Sequence, residues 1–134
     1  MADTRHERGL LDTSVVIGLE HIALDDLPAE IAVSSVTMAE LAAGPHATSD
    51  PFERARRQDR LQRTEAAFDP LPFTVDAARA YGRVLAATAA AGREPRGPRV
   101  VDLLIAATAL AESLPLYTRN ADDVSHLVGL IEVI

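Results

Sequence analysis

The sequence predicts an α/β fold: a three-layer α/β/α arrangement around a short, mostly parallel central sheet. Three features point to it. Short apolar runs of strand length alternate with longer helical patterns along the chain. The runs are apolar throughout, as in strands covered on both faces, where half-exposed strands would alternate apolar and polar residues. Acidic or amide side chains fall at or after several of these runs, at the edge where open parallel sheets place their ligand sites. At 134 residues, 48% of them hydrophobic, the chain suffices for one buried core, and no linker or repeat divides it.

Residues 1–8, MADTRHER, are polar and mixed in charge. They are expected to form a mobile tail, leaving 9–134 as a single domain, and they lack the apolar segment of a secretory signal. Leu10 to Thr13 reads as the first buried strand, and Ser14 to about Glu20 as the following helix, with Ser14 suited to cap it. Ile31 to Ser34 is a second strand. Ser35 or Thr37 opens a helix that runs through Ala43 and stops at Gly44-Pro45. Asp50-Pro51 is a cap and first position for a charged helix reaching Phe68. Leu71 to Thr74 is a strand or a connector, and Val75 to Ala91 an alanine-rich helix closed by Gly92. After a Pro/Gly loop from Glu94 to Pro98, Arg99 to Ser113 is a helix apolar almost all round and therefore central. Leu116 to Thr118 and Ile131 to Ile134 complete the strands.

The composition excludes several chemistries. All 13 basic residues are arginine, against 20 acidic ones, for a net charge of −7. Without lysine there is no P-loop and no Schiff-base amine. Without cysteine there is no thiol nucleophile, thiolate metal site or disulfide, which suits the cytoplasm. No apolar run approaches the ~20 residues of a membrane-spanning helix. The histidines His6, His21, His46 and His126 are scattered without metal-ligand spacing and read as surface or loop residues.

What remains is carboxylates. Asp12 ends the first strand in LLDTSVV. Glu40 lies in the helix after the second strand, in SSVTMAELAAG. Asp102 opens the buried helix in RVVDLLIAATAL, and Asn120, Asp122 and Asp123 follow the LYT strand. Taken singly, Asp12 could cap a helix, Asp102 could answer a helix dipole and Glu40 could reach solvent. Together they bring acidic or amide oxygens from four segments to one edge of the sheet. Clustered carboxylates repel, so pKa values rise or a cation must sit among them. An all-oxygen set selects Mg2+ or Mn2+ over zinc. A water made more acidic by such an ion is a nucleophile for phosphodiester cleavage. Replacing Asp12 or Asp102 by Asn should then raise the metal-free melting temperature, and Mg2+ should raise that of the wild type.

At these residues the chain resembles the PIN-domain ribonucleases, and specifically the VapC toxins of type II VapBC toxin–antitoxin systems. LLDTSV resembles the family's first acidic motif, which places a metal-binding role on Asp12 with Thr13 and Ser14 in support. VSSVTMAEL places the second acidic residue on Glu40. VVDLLIAATAL places the other main metal ligand on Asp102. LYTRNADDV resembles the fourth motif, with Thr118 in support, but has Asn120 where many members carry Asp; Asp123 or Asp122 could supply the missing carboxylate, or Asn120 its amide oxygen. The resemblance implies Mg2+-dependent cleavage of RNA, of tRNA or rRNA, leaving a 5′-phosphate and a 3′-hydroxyl. It implies a homodimer, a hetero-oligomer with a VapB-type antitoxin that inhibits it, and no membrane association.

An acidic protein needs local cations to hold RNA. Arg93, Arg96 and Arg99 line the loop before Asp102, and Arg119 adjoins the fourth motif; they are candidates for gripping phosphates. On the charged helix, Arg56, Arg60 and Arg63 share one face. That stripe adds a distal contact, meets the antitoxin, or is a solvated face paired with Glu53 and Asp59. The acidic pocket also suits an arginine inserted by a partner. Competing assignments fail on residues: a haloacid-dehalogenase-type phosphatase needs a second Asp where Ser14 stands and a lysine, a receiver domain needs its lysine, and a metal-independent ribonuclease needs a placed histidine. A PIN-like protein that binds RNA or a partner without cutting stays open, because of Asn120.

Overall fold

Leu10 and Leu11 are neighbours, both fully buried, and they belong to different cores. That is possible only on a strand, where successive side chains leave opposite faces, and it fixes the layering of the molecule. The structure is a computed structural model, and it describes residues 5–134. Three parallel strands, β1 (Arg8–Leu11), β2 (Glu30–Val33) and β3 (Leu116–Tyr117), form a sheet in the order β2-β1-β3. Single parallel bridges widen it at both edges, Leu71 beside Ser34 and Val133 beside Leu116.

Among the described residues six α-helices surround the sheet: α1 (Thr13–Ile17), α2 (Ser35–Ala43), α3 (Pro51–Ala67), α4 (Val75–Ala90), α5 (Pro98–Glu112) and α6 (Ala121–Val124). On one face, Leu10, Ala32 and Leu116 pack with α4 and α5 through Val84, Leu103 and Ile105. On the other, Leu11, Val33 and Tyr117 pack with Val15 and Val16 of α1 and Leu41 of α2, and Leu61 and Phe68 of the α3 segment close the margin. The central helix is α5, as its all-round apolarity requires: Leu103, Ile105, Ala106, Ala107 and Ala109 have no exposed surface. Each fully buried Leu or Ile there stabilises the fold by ~1.5–3 kcal/mol.

Several boundaries differ from the sequence expectation, each for a local reason. The first strand begins at Arg8 and ends at Leu11, because Asp12 leaves the sheet to become the N-cap of α1. Ser14, expected to cap, lies inside that helix. Ser34 likewise ends no strand; its hydroxyl caps α2 by accepting from the Thr37 N–H at 3.1 Å. The helix from Pro98 starts one residue early because Gly97, at φ 59°, turns the chain into it. It closes at Glu112, with Ser113 in the left-handed region. The last expected strand reduces to the Val133 bridge.

The expected tail, 1–8, is also corrected. Residues 1–4 lie outside the described residues. The carbonyls of His6 and Glu7 accept from the N–H groups of Ala29 and Glu30, and Arg8 pairs with Glu30, so the ordered domain starts before residue 9. Gly9 follows directly, and only glycine fits: a Cβ there would lie 2.4 Å from the Tyr117 ring.

Candidate active site

The register of the sheet assembles the site. Leu11 pairs with Val33 on one side and Tyr117 on the other, so the three strands end in step. The next residue of each segment is polar: Asp12, Ser34 and Thr118. The carboxyl edge of an otherwise apolar sheet therefore carries a row of three oxygen-bearing side chains, with Asp12 in the middle.

Asp12 is only 7% exposed, so its charge needs partners. It has three. Oδ1 accepts from the Thr13 N–H at 2.8 Å, and Oδ2 accepts from Thr118 Oγ1 at 2.8 Å and Ser14 Oγ at 3.0 Å. Both hydroxyls are tied in turn to the β3–α6 segment. The Arg119 N–H donates to Ser14 Oγ at 3.2 Å and the Asn120 N–H to Thr118 Oγ1 at 3.0 Å.

Glu40 is reached by a second relay. Thr13 Oγ1 donates to Glu40 Oε1 at 2.5 Å and lies 2.9 Å from Thr37 Oγ1. A hydroxyl has one proton. Since that of Thr13 goes to the carboxylate, Thr37 must donate to Thr13, and Ser34 Oγ in turn donates to Thr37 at 3.3 Å. Ser34 and Thr37 have no exposed surface. This buried hydroxyl chain anchors the Glu40 carboxylate to the end of β1 through α2. Sequence reading missed both residues as site members. The signal was their spacing, Ser34, Thr37 and Glu40 recurring every three positions along one helix flank.

Asp102 stands differently. It lies in the first turn and a half of α5, half-buried, and nothing among the described residues donates a hydrogen bond to it. Its pKa is raised to about 6, first by burial and then by the charges of Asp12, Glu40 and Asp123, against a smaller opposing pull from Arg99. The four acidic side chains thus come from four segments and share one electrostatic neighbourhood. In the fourth segment Asp123, exposed like Asn120 and Asp122, is the carboxylate whose charge acts on Asp102, and Asn120 contributes only its backbone N–H to the network. Among the described residues no three Asp, Glu or His side chains stand close enough to enclose a metal ion by themselves. Mg2+ does not need such a cage, because it keeps several waters and binds through one or two carboxylates. The donors fit it: they are all oxygens, and no described residue donates a hydrogen bond to Asp102 or forms an ion pair with it.

The candidate RNA-binding arginines are largely engaged within the chain. Arg93 Nη1 donates to the carbonyls of Asp122 and Asp123 at 2.9 and 3.2 Å, securing the end of α6 to the α4–α5 loop. Arg99 donates to the Glu94 carbonyl, and Arg96 pairs with the Glu94 carboxylate at 3.2 Å. Arg119 is exposed beside Thr118, its guanidinium over Gly18. His126, expected at the surface or in a loop, is half-buried against α4, with Nε2 2.9 Å from Thr88 Oγ1. No histidine contributes to Asp102's charge environment.

The family model for the PIN domain matches residues 9–127. The chain belongs to the PIN-domain family. Within it, the chain is 38% identical to ribonuclease VapC5 of Mycobacterium tuberculosis (strain ATCC 25618 / H37Rv) over 128 residues, 93% of this chain and 91% of that protein. It is 40% identical to ribonuclease VapC8 of Mycobacterium tuberculosis (strain CDC 1551 / Oshkosh) over 102 residues, 75% of this chain and 89% of that one. The fold matches the crystal structure of VapBC-5, a Mycobacterium tuberculosis member of the VapBC family of toxin–antitoxin systems. That match has a TM-score of 0.78 and 36% identity, and it covers 96% of both chains. The PIN fold and the kinship to VapC expected from the four motifs are therefore established, and among the described residues no helix is long and apolar enough to cross a membrane.

Proposed function

We propose that this PIN-domain protein is the toxin of a type II toxin–antitoxin pair and acts as a Mg2+-dependent endoribonuclease. Its RNA target is of the tRNA or rRNA class, and cleavage leaves a 5′-phosphate and a 3′-hydroxyl. The observation that carries this reading is the acidic neighbourhood of Asp102, fed by Asp12, Glu40 and Asp123. Support comes from relatives named ribonucleases and from the likeness to VapBC-5.

Asp12 and Asp102 would hold Mg2+, or Mn2+ in its place, with Glu40 and Asp123 facing the same ion through its waters. When bound, the ion supplies a water of lowered pKa and charge stabilisation for phosphodiester hydrolysis. The chain's own groups do the rest. Thr13 N–H, Ser14 and Thr118 fix both oxygens of Asp12 before any ligand arrives. The Ser34–Thr37–Thr13 relay holds Glu40 by one oxygen, leaving the other to accept a hydrogen bond from water at the site. Asp102, near pKa 6, is the carboxylate that gains most from a cation.

The pocket's charge also suits inhibition by a VapB-type antitoxin that inserts an arginine, within a hetero-oligomer built on a toxin homodimer in the cytoplasm. The test is RNA incubated with Mg2+ or with EDTA, with Asp12→Ala as control. Cleavage that requires Mg2+ and disappears in the variant is expected. Binding without cleavage by the wild type would instead favour an RNA- or partner-binding PIN protein, the reading Asn120 leaves open.

A further inference from the structure

Helix α3 carries five arginines, Arg54, Arg56, Arg57, Arg60 and Arg63, and the structure accounts for four of them. Arg54 donates to the carbonyls of Pro45 and Thr48. Arg56 and Arg57 share the two oxygens of Glu53, and Arg57 also donates to the Gly44 carbonyl. Arg63 pairs with Asp59 at 2.5 Å. The guanidinium of Arg60 has no hydrogen bond or ion pair with any described residue, although Arg60 is half-buried. A partly buried guanidinium with no ion pair or hydrogen bond of its own is available to an anion that comes to it.

Arg60 lies between two cavities, one of about 400 Å³ against α1 that it shares with Glu20 and Asp59, the other beside the acidic site. This second cavity, of about 340 Å³, lies between α2 and α3, and its walls include Thr13 and Glu40 of the acidic site. Glu53, the other acid in that wall, has both carboxylate oxygens taken by Arg56 and Arg57. Arg57 lines the same wall, so two guanidinium groups face the carboxylates of Glu40 and Glu53 across the cavity, and Arg60 is the one of the two without an ion pair. The sheet places it on the β2 side of Asp12, since α3 packs on α2; Arg119 lies on the β3 side, following that strand. An RNA strand crossing the end of β1 would have a phosphate over the carboxylates and its neighbours toward these two arginines.

We propose that the α2–α3 cavity is a phosphate subsite for RNA, with Arg60 as its cation, flanking the carboxylate pocket. This rests on the nuclease reading for what lies at the centre, but the subsite binds phosphate whether or not the bond is cut. The sequence stripe Arg56–Arg60–Arg63 is thereby divided: two members are paired within the helix and one serves the ligand.

The experiment measures binding of a fluorescein-labelled single-stranded oligouridylate in EDTA, as a function of salt. The proteins are wild type, Arg60→Ala, Arg60→Lys and Arg56→Ala. Arg60→Ala should weaken binding roughly threefold to tenfold and lower the log–log salt slope by about 0.7, one phosphate on a single strand. Arg60→Lys should keep the slope, and Arg56→Ala should change neither quantity. In Mg2+, Arg60→Ala should raise KM and leave kcat in place. Unchanged affinity and slope in Arg60→Ala would overturn the subsite, as would equal losses in Arg56→Ala. So would an Arg60→Ala protein that binds RNA normally but loses a co-purifying antitoxin, which would make Arg60 a protein contact. Each part fails separately: an inert Arg60 with Asp12-dependent cleavage removes only the subsite, and an Arg60-dependent slope without Mg2+-dependent cleavage removes only the nuclease.

Discussion

Asp12 and Asp102 lie in one pocket and are built in opposite ways. Asp12 is nearly inaccessible and accepts hydrogen bonds from Thr13 N–H, Ser14 and Thr118. Asp102 is more open, accepts none from the described residues, and is held near pKa 6 by burial and like charge. One carboxylate is stabilised by the fold, and the other is destabilised by it. The difference separates structural integration from readiness for a ligand, although both residues are acids at the edge of the same sheet.

Substitutions at the two positions should therefore move stability in opposite directions, the larger effect being at Asp12. Asp12→Ala strands three donors, and hydrogen bonds to a charged acceptor are the costly ones to lose, so it should lower stability by about 2–3 kcal/mol in chemical denaturation. Asp102→Asn removes the charge that burial penalises. It should raise metal-free stability by about 1 kcal/mol, a figure discounted for the group's partial exposure, or roughly 3–6 °C in melting temperature. The stabilising sign expected from sequence concerns Asp→Asn at both positions; Asp12→Ala is a different change, because alanine leaves the three donors without any acceptor.

Thr37→Val sharpens the comparison by breaking the relay that anchors Glu40 while leaving Asp12's partners untouched. It leaves Ser34 and Thr13 short of a partner in a site without solvent, so a loss of about 1–2 kcal/mol is expected on denaturant titration.

The pH dependence has a definite sign. Asp102 ionises near 3.8 when unperturbed and near 6 in the folded chain. Below about pH 4 it is protonated in both states and carries no penalty. As pH rises from about 4 to 6 the unfolded chain loses the proton first, and wild-type stability falls relative to Asp102→Asn. Above about pH 6 the full penalty is present and the difference is constant. Denaturation midpoints of the two proteins across that range would show the gap opening between pH 4 and 6; a gap opening below pH 4 would place the repulsion on another carboxylate.

How much of this was legible from residues alone follows the same division. The three-layer class, the central burial of α5 and the convergence of Asp12, Glu40 and Asp102 were readable, because apolar periodicity and charges embedded in apolar runs are local signals. Strand ends were misjudged by one or two residues, since Asp12 and Ser34 continue an extended backbone yet turn their side chains to capping. The relay through Ser34 and Thr37 was visible only as a three-residue spacing to Glu40: buried hydroxyls look like ordinary helix-start residues until register sets them beside Thr13. The effect of Asp123 on Asp102 also needed three dimensions, as did the division of the arginines, because an ion pair such as Arg63–Asp59 is only one of the options the spacing permits.

The most direct measurement is the melting temperature of wild type and Asp102→Asn in EDTA and in saturating Mg2+, at a pH above 6. If the fold keeps Asp102 charged and unsatisfied for a divalent ion, Mg2+ raises the wild-type transition and closes the gap to Asp102→Asn, whose own transition barely moves. Transitions that ignore Mg2+ in both proteins would contradict it.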